Sequence, residues 1–167
     1  MKLQNTLLIL MMAIMASCST ESIEQTETLF ENETTEVEEV ALTMTASENA
    51  LFDLVNDYRD NLGLSKLDFS GEALKYAKGH NEYMIKAGEL SHANFSDRAS
   101  KLAKETQATF VAENVAKNYP KIEMALEGWI ESPAHQKTLV GDFTHTGISI
   151  TEDAQGNAYY TQIFYKK

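Results

Sequence analysis

Four imidazoles, at His80, His92, His135 and His145, are the side chains of this sequence best suited to chemistry at neutral pH. An imidazole titrates near neutrality, so it can pass protons as a general acid or base, and its neutral ring nitrogens ligate divalent metals. Their spacing restricts the options. No pair forms the His-Glu-x-x-His arrangement that sets two ligands on one helix face, no Gly-x-Ser-x-Gly turn presents a nucleophile, and no Gly-rich loop is built to cradle phosphate. The single cysteine, Cys18, rules out an internal disulfide and a thiolate zinc knuckle. With 25 acidic against 14 basic side chains and a net charge of -11, the chain is a poor match for phosphate backbones, and no nucleic-acid partner is expected. Its 167 residues allow one globular domain plus extra segments.

Positioning these side chains requires a scaffold, and its elements are readable. Ser47 is placed to cap a helix with Ala50, Leu51, Leu54, Val55, Tyr58 and Leu62 on one stripe, stopped by Gly63. Ser70 can cap a second, with Ala73, Leu74, Ala77, Met84 and Ile85 inward and Gly88 as its stop. His80 shares that inward face and reads as a partly buried packing residue. His92 follows in a polar loop, and a short third helix is expected from Asp97 to Leu102. Pro120 suits the first turn of a fourth helix carrying Ile122, Leu126, Trp129 and Ile130. There Trp129 reads as core. Ser132-Pro133 then interrupts the helix and can begin a short one with His135 and Leu139. Thr146–Thr151 and Ala158–Tyr165 read as a hairpin joined by the polar run Glu152–Asn157, with Gln107–Ala112 as a further strand and His145 at the surface. Helices followed by strands argue for an α+β fold. No internal repeat is present.

The N-terminal third has another character. Lys2 precedes an apolar run, Leu7–Met15, too short to span a bilayer as a permanent helix and flanked as an export signal is. Met15-Ala16-Ser17-Cys18 resembles a bacterial lipobox, with Met where Leu is commoner. That resemblance implies a lipoprotein signal peptide over residues 1–17, acyl chains such as palmitate on Cys18, and a membrane anchor in the bacterial cell envelope, periplasmic or surface-exposed. Each buried CH₂ of such chains contributes about 0.8 kcal/mol to anchoring. Residues 18–46 then read as an acidic, disordered tether, with eight Glu between positions 21 and 39 and no Lys, Arg or Gly. Beyond it, residues 47–167 hold 17 acidic and 13 basic side chains, so the acidity belongs mostly to the leash.

Six ordered pieces of residues 47–167 resemble the CAP superfamily of cysteine-rich secretory, antigen 5 and pathogenesis-related proteins (the SCP-like extracellular domain) in its bacterial form. They are Leu54-Val55-Asn56-Asp57-Tyr58-Arg59 with Gly63-Leu64 and Leu67; Ala77, His80 and Met84; Ser91-His92; Glu113-Asn114-Val115-Ala116; Trp129-Ile130-Glu131-Ser132-Pro133-Ala134-His135-Gln136; and Gly147-Ile148 with Tyr159–Phe164. Ala134 stands where Gly is usual and Gln136 where Arg is usual. The resemblance implies an α–β–α sandwich, with helices on both faces of a small, mainly antiparallel sheet. It also implies a shallow cleft of two His and two Glu, matched by His92, His135 and Glu113, with Glu131 close to the place of the second Glu. Two imidazoles and a carboxylate could hold a divalent metal such as zinc with a position open for water, or work as acid and base. Equally, Glu113 could brace the fold by accepting backbone N–H groups, His92 could be a solvated loop residue, and His135 could be satisfied within its helix junction. The expectation is a monomeric, membrane-anchored extracytoplasmic module that binds a lipid, glycan or protein ligand. A metal-assisted hydrolase with Glu113 as base and a structural envelope lipoprotein are the alternatives.

Overall fold

A computed structural model describes residues 42–167. The export signal, Cys18 and residues 19–41 of the tether lie outside the described residues. Helix α1 (Ala46–Asn61) is capped by Thr45, two residues before the expected cap Ser47, because Thr45 and Glu48 form a reciprocal capping box. The Thr45 hydroxyl accepts the Glu48 N–H at 3.3 Å, and the Glu48 carboxylate accepts the Thr45 N–H at 2.7 Å. Helix α2 (Gly71–Ala87) is bounded as expected, by the Ser70 side chain on the Ala73 N–H and by Gly88 at φ +75°. Further elements follow: α3 (Phe95–Thr106), α4 (Ile122–Glu131), α5 (Pro133–Leu139) and the strand hairpin β3 (His145–Glu152) and β4 (Ala158–Lys166).

Two more strands complete the sheet. The pair Asp68–Phe69, here β1, was beneath any sequence signal at two residues long; it runs parallel to β3. Strand β2 (Phe110–Lys117) begins within the expected Gln107–Ala112 segment but continues five residues past it, antiparallel to β4. The sheet order is β1-β3-β4-β2, which leaves β2 at an edge. The third helix is longer at both ends than Asp97–Leu102, and Pro120 lies just before the α4 cap residue Lys121 rather than in the first turn.

Alternation along β4 divides the core into two layers. Tyr160 and Phe164 pack with Leu51, Val55, Leu126, Trp129 and Leu139 beneath α1, α4 and α5. Ile163 and Tyr165 pack with Ala73, Ala77 and Leu102 beneath α2 and α3, while Tyr159 meets Met84 and Val115. The fold is therefore α+β, an α–β–α sandwich. The α2 layer sits so close that a Cβ at Gly147 would lie 2.2 Å from the Leu74 backbone nitrogen. Fully buried Asn81 clamps the same helix to the sheet: its amide donates to Ser149 O at 3.0 Å and Tyr159 O at 3.1 Å, and accepts from the Thr161 hydroxyl at 2.6 Å.

Polar residues of α1 anchor the opposite layer. Asn56 makes a two-way pair with the Leu67 backbone, at 3.1 and 2.7 Å. Buried Arg59 donates to the carbonyls of Ser65, Leu139 and Gly141, tying α1 to the end of α5. Among the described residues no helix is long and apolar enough to cross a membrane.

Candidate functional site

Edge strand β2 organises the candidate residues because neighbours on a strand point to opposite faces. Glu113 faces the α2–α3 layer and Asn114 faces α5. The Glu113 side chain is 1% exposed, a burial that a carboxylate tolerates only with partners. Arg98, on the first turn of α3, supplies most of them in a forked arrangement: Nε donates to Oε2 at 2.9 Å, and Nη2 to Oε1 at 2.9 Å and Oε2 at 2.7 Å. His92 Nδ1 donates to Oε1 at 2.9 Å. This fixes the ring and leaves Nε2 for solvent or a ligand, since the His92 side chain is half-exposed.

His80, expected as a partly buried packing residue, is completely buried and adjoins the same carboxylate at 3.7 Å. Its Nε2 lies 2.7 Å from the Ser91 carbonyl; a carbonyl only accepts, so Nε2 carries the proton and Nδ1 is left as an unpartnered buried acceptor. Burial pushes its pKa down, and the nearby charges of Arg98 and His92 act in the same direction against an upward pull from Glu113. The neutral ring is thus a fixed donor that holds the residue before His92. Arg98 holds the residue after it, donating to Ala93 O at 3.0 Å. The chain turns into α3 at Asn94, whose φ of 59° is one that Asn adopts more readily than most residues.

His135 reaches the site from the other side of β2. Asn114 donates to its backbone carbonyl at 3.1 Å, and the Trp129 indole N–H donates to Val115 O at 3.1 Å, so α4 and α5 are pinned to the same strand. The His135 ring is half-buried. Its pKa is lowered first by burial and then by the charge of His92. Of the sequence candidates, His92 and Glu113 are joined by a hydrogen bond, and His135 lies across β2 from them, on the Asn114 side. Glu131 does not join them. It is exposed, and two residues along α4 turn it about 200° from the inward-facing Trp129. His145 opens β3, half-buried rather than at the surface, stacked on Tyr165 with ring centroids 4.7 Å apart.

The residues present do not fit a divalent metal. Among the described residues no group of three or more His, Cys, Asp or Glu side chains could hold one. Both Glu113 oxygens face a guanidinium, so this carboxylate is not free to join a metal set, while His92 keeps Nε2 open. The expectation of His92 and His135 as metal ligands is thus left without a third described side chain to complete a set. The same engagement denies Glu113 the role of free general base. No Ser, Thr or Cys of the described residues hydrogen-bonds to a ring nitrogen of His92 or His135. What the site offers is one imidazole nitrogen in a fixed orientation above a neutralised carboxylate, with His135 held on the opposite side of the same strand.

Sequence reasoning missed Arg98 entirely and undervalued His80. Arg98 sits on a polar helix turn, 15 residues from its partner, with no pattern to separate it from a solvated surface cation. His80 carried one usable signal, a titratable ring on an otherwise apolar helix face.

Comparison with known proteins agrees with this architecture. Residues 52–164 match the model of the CAP, cysteine-rich secretory protein, family. YlbC, an uncharacterized membrane protein of Bacillus subtilis (strain 168), is 34% identical over 129 residues, which is 74% of this chain and 35% of that protein; the chain spans about a third of that relative's length. An SCP-domain extracellular protein of Bacillus anthracis is 27% identical, with a TM-score of 0.65 over 72% of this chain and 40% of that one. An outer surface protein of Borrelia burgdorferi shares the fold at 19% identity, with a TM-score of 0.64 over 71% of this chain and 91% of that one. With its sandwich and nearly all of its folded region matched, this chain belongs to the CAP family of cysteine-rich secretory protein domains.

Proposed function

We propose that this chain is a lipid-anchored, extracytoplasmic binding module, tethered through Cys18 and presenting the His92–His135 edge of its CAP domain to an envelope ligand. One observation carries the reading. The buried carboxylate that a hydrolase would need as base or metal ligand is instead closed off by Arg98 and used to orient His92. Such a site positions a recognition group and supplies no reacting one. The names of two relatives, an extracellular SCP-domain protein and a membrane protein, support placement outside the cytoplasm, and the lipobox-like Cys18 supplies the means of attachment.

The test has two parts. Metabolic labelling with a clickable palmitate analogue should mark the full chain and fail to mark Cys18→Ser. The full chain should then be retained by one of three probes, namely vesicles of extracted envelope lipid, purified cell-wall glycan, or solubilised envelope protein, with retention lost in the His92→Ala/His135→Ala double variant. Unlabelled wild type would sink the anchor. Retention by none of the probes, or equal retention of the double variant, would sink the binding reading.

A further inference from the structure

An uncovered sheet edge is a row of unpaired N–H and C=O groups that another strand can join. This protein caps parts of both its edges. On one side β1 shields the start of β3, and Glu48 accepts the outward Ile150 N–H at 2.9 Å. On the other, the Trp129 indole donates to the outward Val115 carbonyl at 3.1 Å. The first half of β2 has no such cap. Asn118 N–H donates to Ala158 O at 2.9 Å, and the β2–β4 register runs unbroken back to Phe110. Even-numbered residues of β2 therefore face β4, and odd-numbered ones turn their main chain outward. Among the described residues no hydrogen bond reaches the N–H or C=O of Val111 or Glu113. Solvent reaches this stretch. Val111 is half-buried, and Glu113 is 8% exposed with a side chain only 1% exposed, so what remains open at Glu113 is its main chain. Neither charge nor proline guards Phe110-Val111-Ala112, and Phe110 is 61% exposed.

A concavity flanks the open stretch on each face, as the alternating side chains of an added strand require. On the α5 side, one of about 510 Å³ is lined by Phe110, Ala112, Thr138, Gly141 and Phe143, with the Phe110 and Phe143 rings stacked 5.7 Å apart. On the α3 side, one of about 240 Å³ is walled by Ala99, Ser100, Ala103 and Val111. The first suits a large apolar side chain and the second a small one. Lys137 and Lys166 stand at the larger concavity against one acid, Asp142, which Lys166 engages, so the charge left over favours acidic flanks. The unpaired main chain selects the class of partner. A sugar or an acyl chain presents no N–H and C=O alternating at strand spacing, whereas a polypeptide does. A second copy of this chain would bring its own α3 and α5 into the same space. The geometry points to a docking edge for an extended segment of another protein, added to β2 beside Phe110–Glu113. Large apolar and small residues alternate along that segment, with acidic residues at its ends. The docking edge adjoins the His92–His135 edge and does not depend on that edge having a ligand.

The test is amide NMR on the full chain in zwitterionic micelles, titrated with the blocked peptide Glu-Ser-Phe-Ser-Phe-Ser-Glu. It should move the amides of residues 110–113 and slow hydrogen exchange at Val111 and Glu113. Two N-methylated twins, one blocked at its Ser nitrogens and one at its Phe nitrogens, keep every side chain and lose alternate main-chain donors. One twin should bind at least about tenfold more weakly and the other within about threefold of the parent. The Ser twin is the weak one for an antiparallel strand and the Phe twin for a parallel one. Val111→Pro removes one outward N–H and no bond to β4, as proline on an edge strand can, and should weaken binding by about tenfold. If that variant fails to fold, the twins decide alone. The His92→Ala/His135→Ala double variant should bind the peptide within about threefold of wild type, so failure here and failure at the His92–His135 edge are read separately. The proposal is overturned if the parent peptide moves none of these amides, or if both twins bind as the parent does. Peptide-free dimerisation abolished by Val111→Pro would put a second copy on the edge and overturn it too. So would broadening of the 110–113 amides by a nitroxide on Val37→Cys/Cys18→Ser, which would put the tether there.

Discussion

Glu48 and Glu113 are both buried carboxylates, at opposite ends of the fold's logic. Glu48 accepts two backbone amides, Thr45 N–H at 2.7 Å and Ile150 N–H at 2.9 Å, and so joins the start of α1 to the middle of β3. Its partners cannot change charge or move independently of the fold. Glu113 accepts side chains instead: one guanidinium and one imidazole that reaches solvent, with a second, sealed imidazole beside it. The first arrangement is a rivet. The second joins a buried charge to a side chain that solvent reaches. Burial of a carboxylate is thus no sign of function by itself; the kind of partner it has is what distinguishes the two.

The largest expected effect is at the Glu113 end. Arg98→Met leaves an uncompensated carboxylate in a dry site and should cost about 3–5 kcal/mol in urea denaturation, with Arg98→Met/Glu113→Leu recovering much of the loss. Glu48→Ala should cost about 2 kcal/mol, the combined loss of a cap and of a partner for the Ile150 amide. A larger loss at Glu48 than at Arg98 would undo the contrast.

The third effect is one of pH. Folded His80 and His135 both titrate below the ordinary value of about 6.5, chiefly through burial. The unfolded chain therefore takes up protons first as pH falls. Stability should be full above about pH 6.5, decline as pH drops below it, and level off beneath the depressed folded values. Denaturation midpoints between about pH 8 and pH 5 should show this slope, reduced in His80→Gln, whose amide can still donate to Ser91 O. An unchanged slope in that variant would remove His80 from the coupling. Smallest of all, half-exposed His92→Ala should cost less than about 1 kcal/mol, and exposed Glu131→Ala should stay within about 0.5 kcal/mol, both by thermal melting.

Legibility in the sequence followed how local each cause was. The α2 boundaries were readable because Ser70 and Gly88 act within a few residues of themselves. The alternative that Glu113 accepts backbone N–H groups was open from the residues alone, yet its partners are the side chains of Arg98 and His92. Strand β2 was misplaced because its middle buries Glu113 and Asn114 on opposite faces, which erases the apolar alternation that marks a strand. Arg98 was invisible for a related reason: its value lies entirely in a contact the chain makes by folding α3 back over β2. His135 and His92 could be nominated by resemblance, yet that they flank one strand follows from the sandwich and from no spacing along the chain.

Asn114 and Glu113 also bear on how the sheet is assembled. β2 and β4 come from distant parts of the chain and must find their alignment, and a slip by one residue would turn every side chain of β2 to the opposite layer. The apolar members, Val115 and Ala116, would survive such an exchange without great loss. Glu113 and Asn114 would not, because the carboxylate would meet the underside of α5 without a cation and the amide would meet Arg98 without a charge to return. The pair therefore favours one register of β2 against β4 over its slipped neighbours.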